Sequence, residues 1–340
     1  MDTFEPGTTP DINFKIEVLN QAKYSIIVPV FNRPQEVDEL LGSLLQQTFK
    51  NFEIIIVEDG STNRCDQIVD QFRDKLRIEY FFKPNSGPGP SRNAGFSIAK
   101  GNFFVVFDSD CIIPSTYFEA VEKSLEENNY DAWGGPDRAH EDFSIVQRAM
   151  GYTMSSVLTT GGIRGGKKRL GWFQPRSFNM GISRKVFEQT KGFAFDRFAE
   201  DIEFSIRMKN AGFHIGLIPD AYVYHKRRTN FSQFYKQVFN FGRGRVLVGR
   251  KHPQEIKLTH WFPSLFVMGV AAVPFMLIFN PLLFKIGALS ILLYLILLLI
   301  HSLSVNKNLA VAFFSVPAAI VQLSGYGLGF LSEKLKSYTP

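Results

Sequence analysis

A run of apolar residues, Phe103 to Phe107, leads straight into Asp108, Ser109 and Asp110. Two carboxylates one residue apart at the end of a buried strand offer hard oxygen ligands. Such ligands suit Mg2+ or Mn2+, with the phosphates of a substrate completing the coordination shell. A polar turn after a strand would also place acids here, so the surroundings decide. Two further apolar runs end in polar groups. "YSIIVPVFN" closes on Pro29 and Asn32, and "FEIIIVEDGS" closes on Glu58 and Asp59. The phosphate-binding loops of other nucleotide proteins are missing. "PVFNRP" stands where a dinucleotide-binding GxGxxG would follow the first strand, and no GxxxxGK followed by Ser or Thr occurs. Phosphates would therefore be held through a cation on Asp110.

The elements that must position these groups follow from periodicity. Short β-branched runs at 24–32, 52–61, 77–82 and 103–107 read as buried strands. Between them, Val37, Leu40, Leu41, Leu44 and Leu45 fall at helical spacing behind Pro34, and "NRCDQIVDQFRDK" reads as a second helix. "KPNSGPGPSRNAGFSIAKG" reads as a Gly/Pro loop running into a short helix. Strands alternating with helices predict an α/β fold with a mostly parallel sheet buried on both faces. Ligands of such sheets bind at the carboxyl ends of the strands, so Asn32, Glu58, Asp59, Asp108 and Asp110 are expected on one rim.

At this point the order of motifs resembles that of family 2 glycosyltransferases with the GT-A nucleotide-sugar-binding fold. The resemblance rests on PVFN, VEDGS, GPGPSRNAG and DSD. Further on, "FNMGISRKVFEQTKGF" (178–193) and "FAEDIEFSIRMKNAGF" (198–213) look like the acceptor-side segment and the Glu-Asp motif. It covers about residues 24–250. It implies that Pro29, Phe31 and Asn32 line the nucleotide pocket. Asp59 would bond the base, with Glu58 near the ribose and Arg92 by the diphosphate. Asp108 would contact nucleotide and metal, and Asp110 would bind the metal. Asp201 would be the general base with Glu200 beside it, and His225 falls where some members place a further metal ligand. The processive synthases of the family carry QxxRW beyond this point. Here Gln237 is followed by Asn240 and Phe241 in place of Arg and Trp, which favours transfer of a single sugar.

Composition divides the chain. Residues 1–23 form an N-terminal extension, 24–250 the catalytic domain, 251–260 a basic linker, 261–331 membrane segments and 332–340 a tail. Within 261–331 the only Lys, Arg, His, Asp or Glu residues are Lys285, His301 and Lys307. The stretches 261–284, 286–303 and 309–331 approach the length of a bilayer span, about 17 to 25 residues. Three spans would leave Lys334 and Lys336 on the far side, against the positive-inside tendency, and Asn280-Pro281 and Pro317 could break spans. Two to three membrane helices are therefore expected. Just upstream, Lys226 to Lys257 holds nine Lys and Arg residues against Glu255 alone. A basic segment there favours the cytoplasmic face and anionic headgroups rather than nucleic acid. The N-terminus lacks the apolar core of a signal peptide. Cys65 and Cys111 make no disulfide or metal framework, as expected for a domain in the reducing cytosol. Glycines 161, 162, 165 and 166, with Lys167, Lys168 and Arg169, read either as a linker or as a lid near phosphates.

These readings converge on an inverting glycosyltransferase that uses a divalent cation, Mg2+ or Mn2+. It would move one sugar from a UDP-, dTDP- or GDP-sugar to a lipid-linked or cell-envelope glycan acceptor. Its catalytic domain would sit at the cytoplasmic membrane, facing the cytoplasm. Two alternatives stay open: a polyprenyl-phosphate glycosyltransferase that charges the lipid carrier, and a membrane protein that binds nucleotide-sugars without turnover.

Overall fold

A computed structural model of the chain describes residues 22–138, 143–160, 172–226 and 228–336. Most of the glycine-rich segment expected as linker or lid lies outside these residues. The strands are β1 (Tyr24–Val30), β2 (Phe52–Asp59), β3 (Ile78–Lys83), β4 (Phe103–Phe107), β5 (Cys111–Ile112), β6 (Ala132–Gly134), β7 (Asp137–Arg138), β8 (Asn179–Ser183), β9 (Ile215–Leu217) and β10 (Val223–His225). The first helices are α1 (Pro34–Leu45), α2 (Asp66–Asp70), α3 (Pro88–Ile98), α4 (Tyr117–Asn128), α5 (Ile145–Ser155) and α6 (Val157–Thr160). They are followed by α7 (Arg184–Thr190), α8 (Glu200–Asn210), α9 (Phe231–Lys251), α10 (Phe262–Phe279), α11 (Pro281–Asn306) and α12 (Leu309–Lys334).

The main sheet has the order β3-β2-β1-β4-β8-β6-β9. β1 to β4 run parallel, and β8 lies antiparallel between β4 and β6. Alternation along β1 explains why the sheet is buried twice over. Tyr24, Ile26 and Val28 pack with Leu40, Leu41 and Phe118 on one face. Ile27 packs with Phe96, Phe104 and Phe204 on the other. A continuous apolar run with β-branched residues is what a strand covered by helices on both sides requires. In-register pairing of Val30 with Glu58 and of Asp59 with Lys83 puts the strand ends on one rim. A second, small sheet, β5-β10-β7, pairs Cys111 with His225 and Val223 with Asp137. It carries His225 to the acids that follow β4.

α9 joins this domain to the apolar helices. It passes so close to the turn before α8 that a Cβ on Gly244 would lie 2.8 Å from that of Ala199. On its other side it packs along α12, where a Cβ on Gly329 would meet the Phe239 carbonyl at 2.0 Å. Glu203 on α8 is fully buried and accepts from Arg207 at 2.9 Å, with Lys251 at 2.8 Å and His252 at 3.3 Å. At the end of α12, Glu333 accepts from Arg243 at 2.9 Å and Arg250 at 3.1 Å.

Among the described residues, three helices are long and apolar enough to cross a membrane: Leu258–Phe279, Pro281–Asn306 and Leu309–Lys334, with mean hydropathies of 2.2, 2.6 and 1.6. The first break falls at Asn280, whose side chain caps the next helix at the N–H groups of Leu282 and Leu283. Lys285 is thus inside α11 rather than between helices. The third helix differs from the other two. Protein buries 44% of its most apolar window, against 6% in each of the others. α9 and α5 cover it, through Phe234, Val238 and Met150 packing on Ala318.

Candidate active site

Asp110 sits where β4 ends and β5 begins, and is buried. Its Oδ2 accepts from Arg33, the residue just before α1. Its Oδ1 lies 3.0 Å from Nε2 of His225. That is a close charge contact, but not an aligned hydrogen bond, and Oδ1 accepts none among the described residues. Burial raises the cost of charging Asp110, yet the His225 and Arg33 charges hold its carboxyl well below the usual range. The His225 ring stacks on Phe178 at 4.8 Å. Burial opposes its protonation, but Asp110 and Asp108 raise its pKa.

Asp108 shares Arg92 with Glu200. Nη2 of Arg92 donates to Asp108 at 2.8 Å, and Nη1 donates to Glu200 at 2.9 Å. Arg92 is buried on α3, with the Phe193 ring 5.3 Å beneath its guanidinium. Burial pushes the Glu200 carboxyl up to about 7; Arg92 opposes the shift and neighbouring Asp201 adds to it. Glu200 and Asp201 open α8, where acids are stabilised by the helix dipole. They follow Ala199, which is held at a left-handed φ of 56°. Asp201 lies 3.5 Å from Nη1 of Arg176. A chain of polar contacts therefore runs from Asp110 through His225, Asp108 and Arg92 to Glu200, next to Asp201.

At the first two strand ends the acids are engaged within the fold. Asp59 accepts from Lys83 at 2.5 Å and from the N–H groups of Ser86 and Gly87 at 2.9 and 2.8 Å. Burial works against ionisation, but these donors hold the Asp59 carboxyl below the usual range. Asp59 thereby pins the turn that leads into α3. Glu58 is fully buried and takes the Ser61 hydroxyl, Cys65 N–H at 2.9 Å and the Tyr80 hydroxyl at 3.2 Å. Asn32, at a left-handed φ of 55°, caps the N–H groups of Thr62 and Asn63, both at 2.9 Å. Pro29 lies in β1 opposite Val57, and Phe31 is half-exposed just beyond it. Gln237, Asn240 and Phe241 fall on α9, where Phe241 packs against the α5 and α12 core. Sequence reasoning passed over Arg33, Lys83 and Arg176. Each is a lone cation in a loop or at a strand end, and only its partner across the fold marks it out.

Comparison with known proteins gives this arrangement its family. Residues 25–191 match the family model described as glycosyl transferase family 2.

The chain carries a family 2 glycosyltransferase domain.

Over 114 residues it is 41% identical to an uncharacterized glycosyltransferase of Rickettsia conorii, a match covering 34% of this chain and 19% of that protein. Over 113 residues it is 36% identical to the poly(ribitol-phosphate) beta-N-acetylglucosaminyltransferase TarS of Staphylococcus aureus, covering 32% and 20% respectively. The chain thus spans about a fifth of the length of these two relatives. Among solved structures, the mannosyltransferase PcManGT of Pyrobaculum calidifontis, in complex with GDP-Man and Mn2+, superposes with a TM-score of 0.62 at 15% identity. That match covers 89% of this chain and 87% of the other. The likeness extends the shared fold past the sheet into the C-terminal helices.

The family implies a divalent cation, and the residues present fit one. Asp110 Oδ1 is buried with no hydrogen bond to satisfy it, a costly state for a charged oxygen. Asp110, Cys111 and His225 each place one ligand atom within 4.8 Å of the others. Burial, with Asp108 and Asp110 adding to it, pushes the Cys111 thiol well above its ordinary pKa. The thiol is a soft donor, whereas the Asp110 carboxylate is the hard oxygen that suits Mn2+ or Mg2+, with Nε2 of His225 beside it.

Proposed function

We propose that this glycosyltransferase domain is an inverting, cation-dependent enzyme. It transfers one sugar from a nucleotide-sugar to a lipid-linked or cell-envelope glycan acceptor at the cytoplasmic face of a membrane. The observation that carries the reading is the link Asp108–Arg92–Glu200. It ties the strand end suited to phosphates and a cation to the helix that presents Asp201.

In this reading Asp110, Asp108 and His225 hold the cation, which when bound offsets the charge that develops on the leaving diphosphate. Pro29, Phe31, Asn32, Glu58 and Asp59 shape the nucleotide side. Glu58, Asp59 and Asn32 act there through the loops they hold. Arg92 fixes Asp108 and keeps a positive charge beneath the diphosphate. Asp201 takes the proton from the acceptor hydroxyl as its oxygen bonds to the anomeric carbon. The bond from that carbon to the diphosphate oxygen breaks, and the nucleoside diphosphate leaves with the electron pair. One displacement inverts the anomeric configuration. A positioned base contributes about 10² to 10⁴ in rate. Replacement of the Arg and Trp of a processive enzyme by Asn240 and Phe241 supports single transfer. The exposed apolar faces of α10 and α11 support a membrane location.

The test is a donor panel on the detergent-solubilised chain, read out as released nucleoside diphosphate. It should include UDP-N-acetylglucosamine and GDP-mannose, given what TarS is named for and what PcManGT holds. Turnover with one donor class, lost on adding EDTA and restored by Mn2+ or Mg2+, is expected. Tight nucleotide-sugar binding with no turnover under any acceptor would reassign the chain to binding alone.

A further inference from the structure

α12 has the length and apolarity of a membrane span, yet its contacts run the wrong way for one. α10 and α11 form an antiparallel hairpin. A Cβ on Gly287 would lie 2.8 Å from the Val273 side chain, and the rings of Phe266 and Tyr294 are 5.9 Å apart. The hairpin turns at Asn280, so Phe262 and Asn306 mark its two feet. α12 touches it near those feet. The Ser264 hydroxyl donates to the Gly327 carbonyl at 3.1 Å, and the Ser302 and Ser315 hydroxyls are 2.8 Å apart. Ile278 and Phe279, at the tip, stay exposed. At one end of α12, Leu309 follows Asn306 by three residues. At the other, Glu333 accepts from Arg243 and Arg250 of α9. The neighbour of Arg250, Lys251, reaches Glu203 of the catalytic domain at 2.8 Å. Both ends of α12 therefore lie on the domain's side of the hairpin.

We propose that the chain crosses the membrane twice, through α10 and α11, and that α12 lies along the near leaflet with its one free face in the lipid. α12 runs beside α9, from Ala318 against Phe234 to Glu333 against Arg250. A crossing α12 would draw α9 in with it, and α9 carries Lys236, Arg243, Arg245 and Arg250, charges that hydrocarbon excludes. Leu309, Phe313, Ile320 and Leu328 remain exposed on α12. Steps of four, seven and eight residues keep them on one face of the helix. An apolar stripe with polar and protein-covered faces opposite it suits a helix lying in the interface. α6 offers a second surface beside the same hairpin. Val157 and Leu158 are exposed there, and the Leu158 carbonyl accepts from the Tyr294 hydroxyl of α11 at 3.1 Å. Tyr294 stands six residues, about 9 Å, inside Ile300, where the apolar run of α11 gives way to His301. The occupant of both surfaces is the acyl region of the near leaflet, because each adjoins a helix that crosses it. Two crossings also keep Lys334 and Lys336 on the side of the basic linker, as the positive-inside tendency favours. This topology stands whether or not the domain transfers sugar.

The experiment labels single added cysteines with a membrane-impermeant maleimide, using the full chain in right-side-out and inside-out vesicles. Cys65 and Cys111 are buried and set the background. Lys336→Cys should react from the same side as Glu127→Cys on the catalytic domain, and Phe279→Cys from the opposite side. Reaction of Lys336→Cys from the side of Phe279→Cys would make α12 a third span and overturn the proposal. Reaction of Phe279→Cys from the domain's side would remove the crossing hairpin and overturn it as well. Nitroxide depth measurements read the helix itself. Labels on Phe313→Cys and Ile320→Cys should sit at one depth in the near leaflet. Labels on Leu282→Cys and Leu289→Cys of α11 should differ in depth by about 10 Å, the rise of seven residues along a crossing helix. A difference of that size between the two α12 labels, or access of both to a water-soluble relaxant alone, would contradict a helix lying in the leaflet.

Discussion

Asp108 and Glu200, set on elements far apart in the chain, are held by two arms of one buried guanidinium, 2.8 and 2.9 Å from Arg92. The pairing fixes the end of β4 against the start of α8. Removing Arg92 leaves two carboxylates without their counter-charge. Arg92→Met should destabilise the domain by about 3 to 5 kcal/mol, the usual cost of breaking a buried pair. Arg92→Lys should recover less than half, because one ammonium cannot reach both partners as a fork does. Denaturant unfolding of the pair of variants checks this, and near-native stability of Arg92→Met would break the link.

Glu200 has its carboxyl raised from an ordinary 4.5 to about 7 by burial, with Arg92 opposing and Asp201 adding. Between those two values the folded state keeps a proton that the unfolded chain releases. Stability from this group is complete below about 4.5 and is lost as pH rises through 7, with a slope of at most about 1.4 kcal/mol per pH unit. Glu200→Gln should flatten that part of the profile. Thermal unfolding between pH 5 and 8 is the measurement, and an identical slope in the variant would contradict the assignment.

Glu203 is fully buried and tied to Arg207, Lys251 and His252, so it fastens α8 to the end of α9. Glu203→Ala should cost about 1.5 to 3 kcal/mol, because it removes the buried acceptor that these partly exposed cations share. It should also loosen the helix that presents Asp201, so kcat should fall more than donor affinity. Equal kcat with reduced stability would limit Glu203 to holding the fold.

Asp110 offers a buried oxygen that no hydrogen bond satisfies. Asp110→Ala should weaken donor binding by at least about tenfold, the lower range for disturbing a metal site, and should abolish its response to Mn2+ or Mg2+. Donor titrations with and without cation test both parts. A retained cation response would place the ion elsewhere.

Much of the fold was legible because buried parallel strands leave long β-branched runs, as in Ile54 to Val57 and Phe103 to Phe107. The candidate acids were legible because they end those runs. Less visible was β8, "NMGIS", which is too short and mixed to announce an antiparallel strand between β4 and β6. The helix read over residues 63–75 shrinks to Asp66–Asp70, followed by turns. Its apolar positions, Ile68, Val69 and Phe72, pack equally well from a turn. Glu58 and Asp59 look alike in sequence, yet one points to Cys65 and Tyr80 and the other to Lys83 and Gly87. Alternation along a strand sends neighbours to opposite faces, and only the third dimension says what waits there. The contacts of Arg33, Arg92 and Arg176 depend on partners from distant elements, which spacing along the chain does not encode.

The central claim is that Asp201 takes the acceptor proton while the donor is held elsewhere. Asp201→Asn keeps the shape of the side chain and removes its basicity. The decisive measurement is donor Kd and kcat on the same preparation of that variant. The account predicts a Kd within about twofold of native and a kcat lower by about 10² to 10⁴, the range of a general base. Native turnover in Asp201→Asn, or loss of donor binding in step with loss of rate, would contradict it.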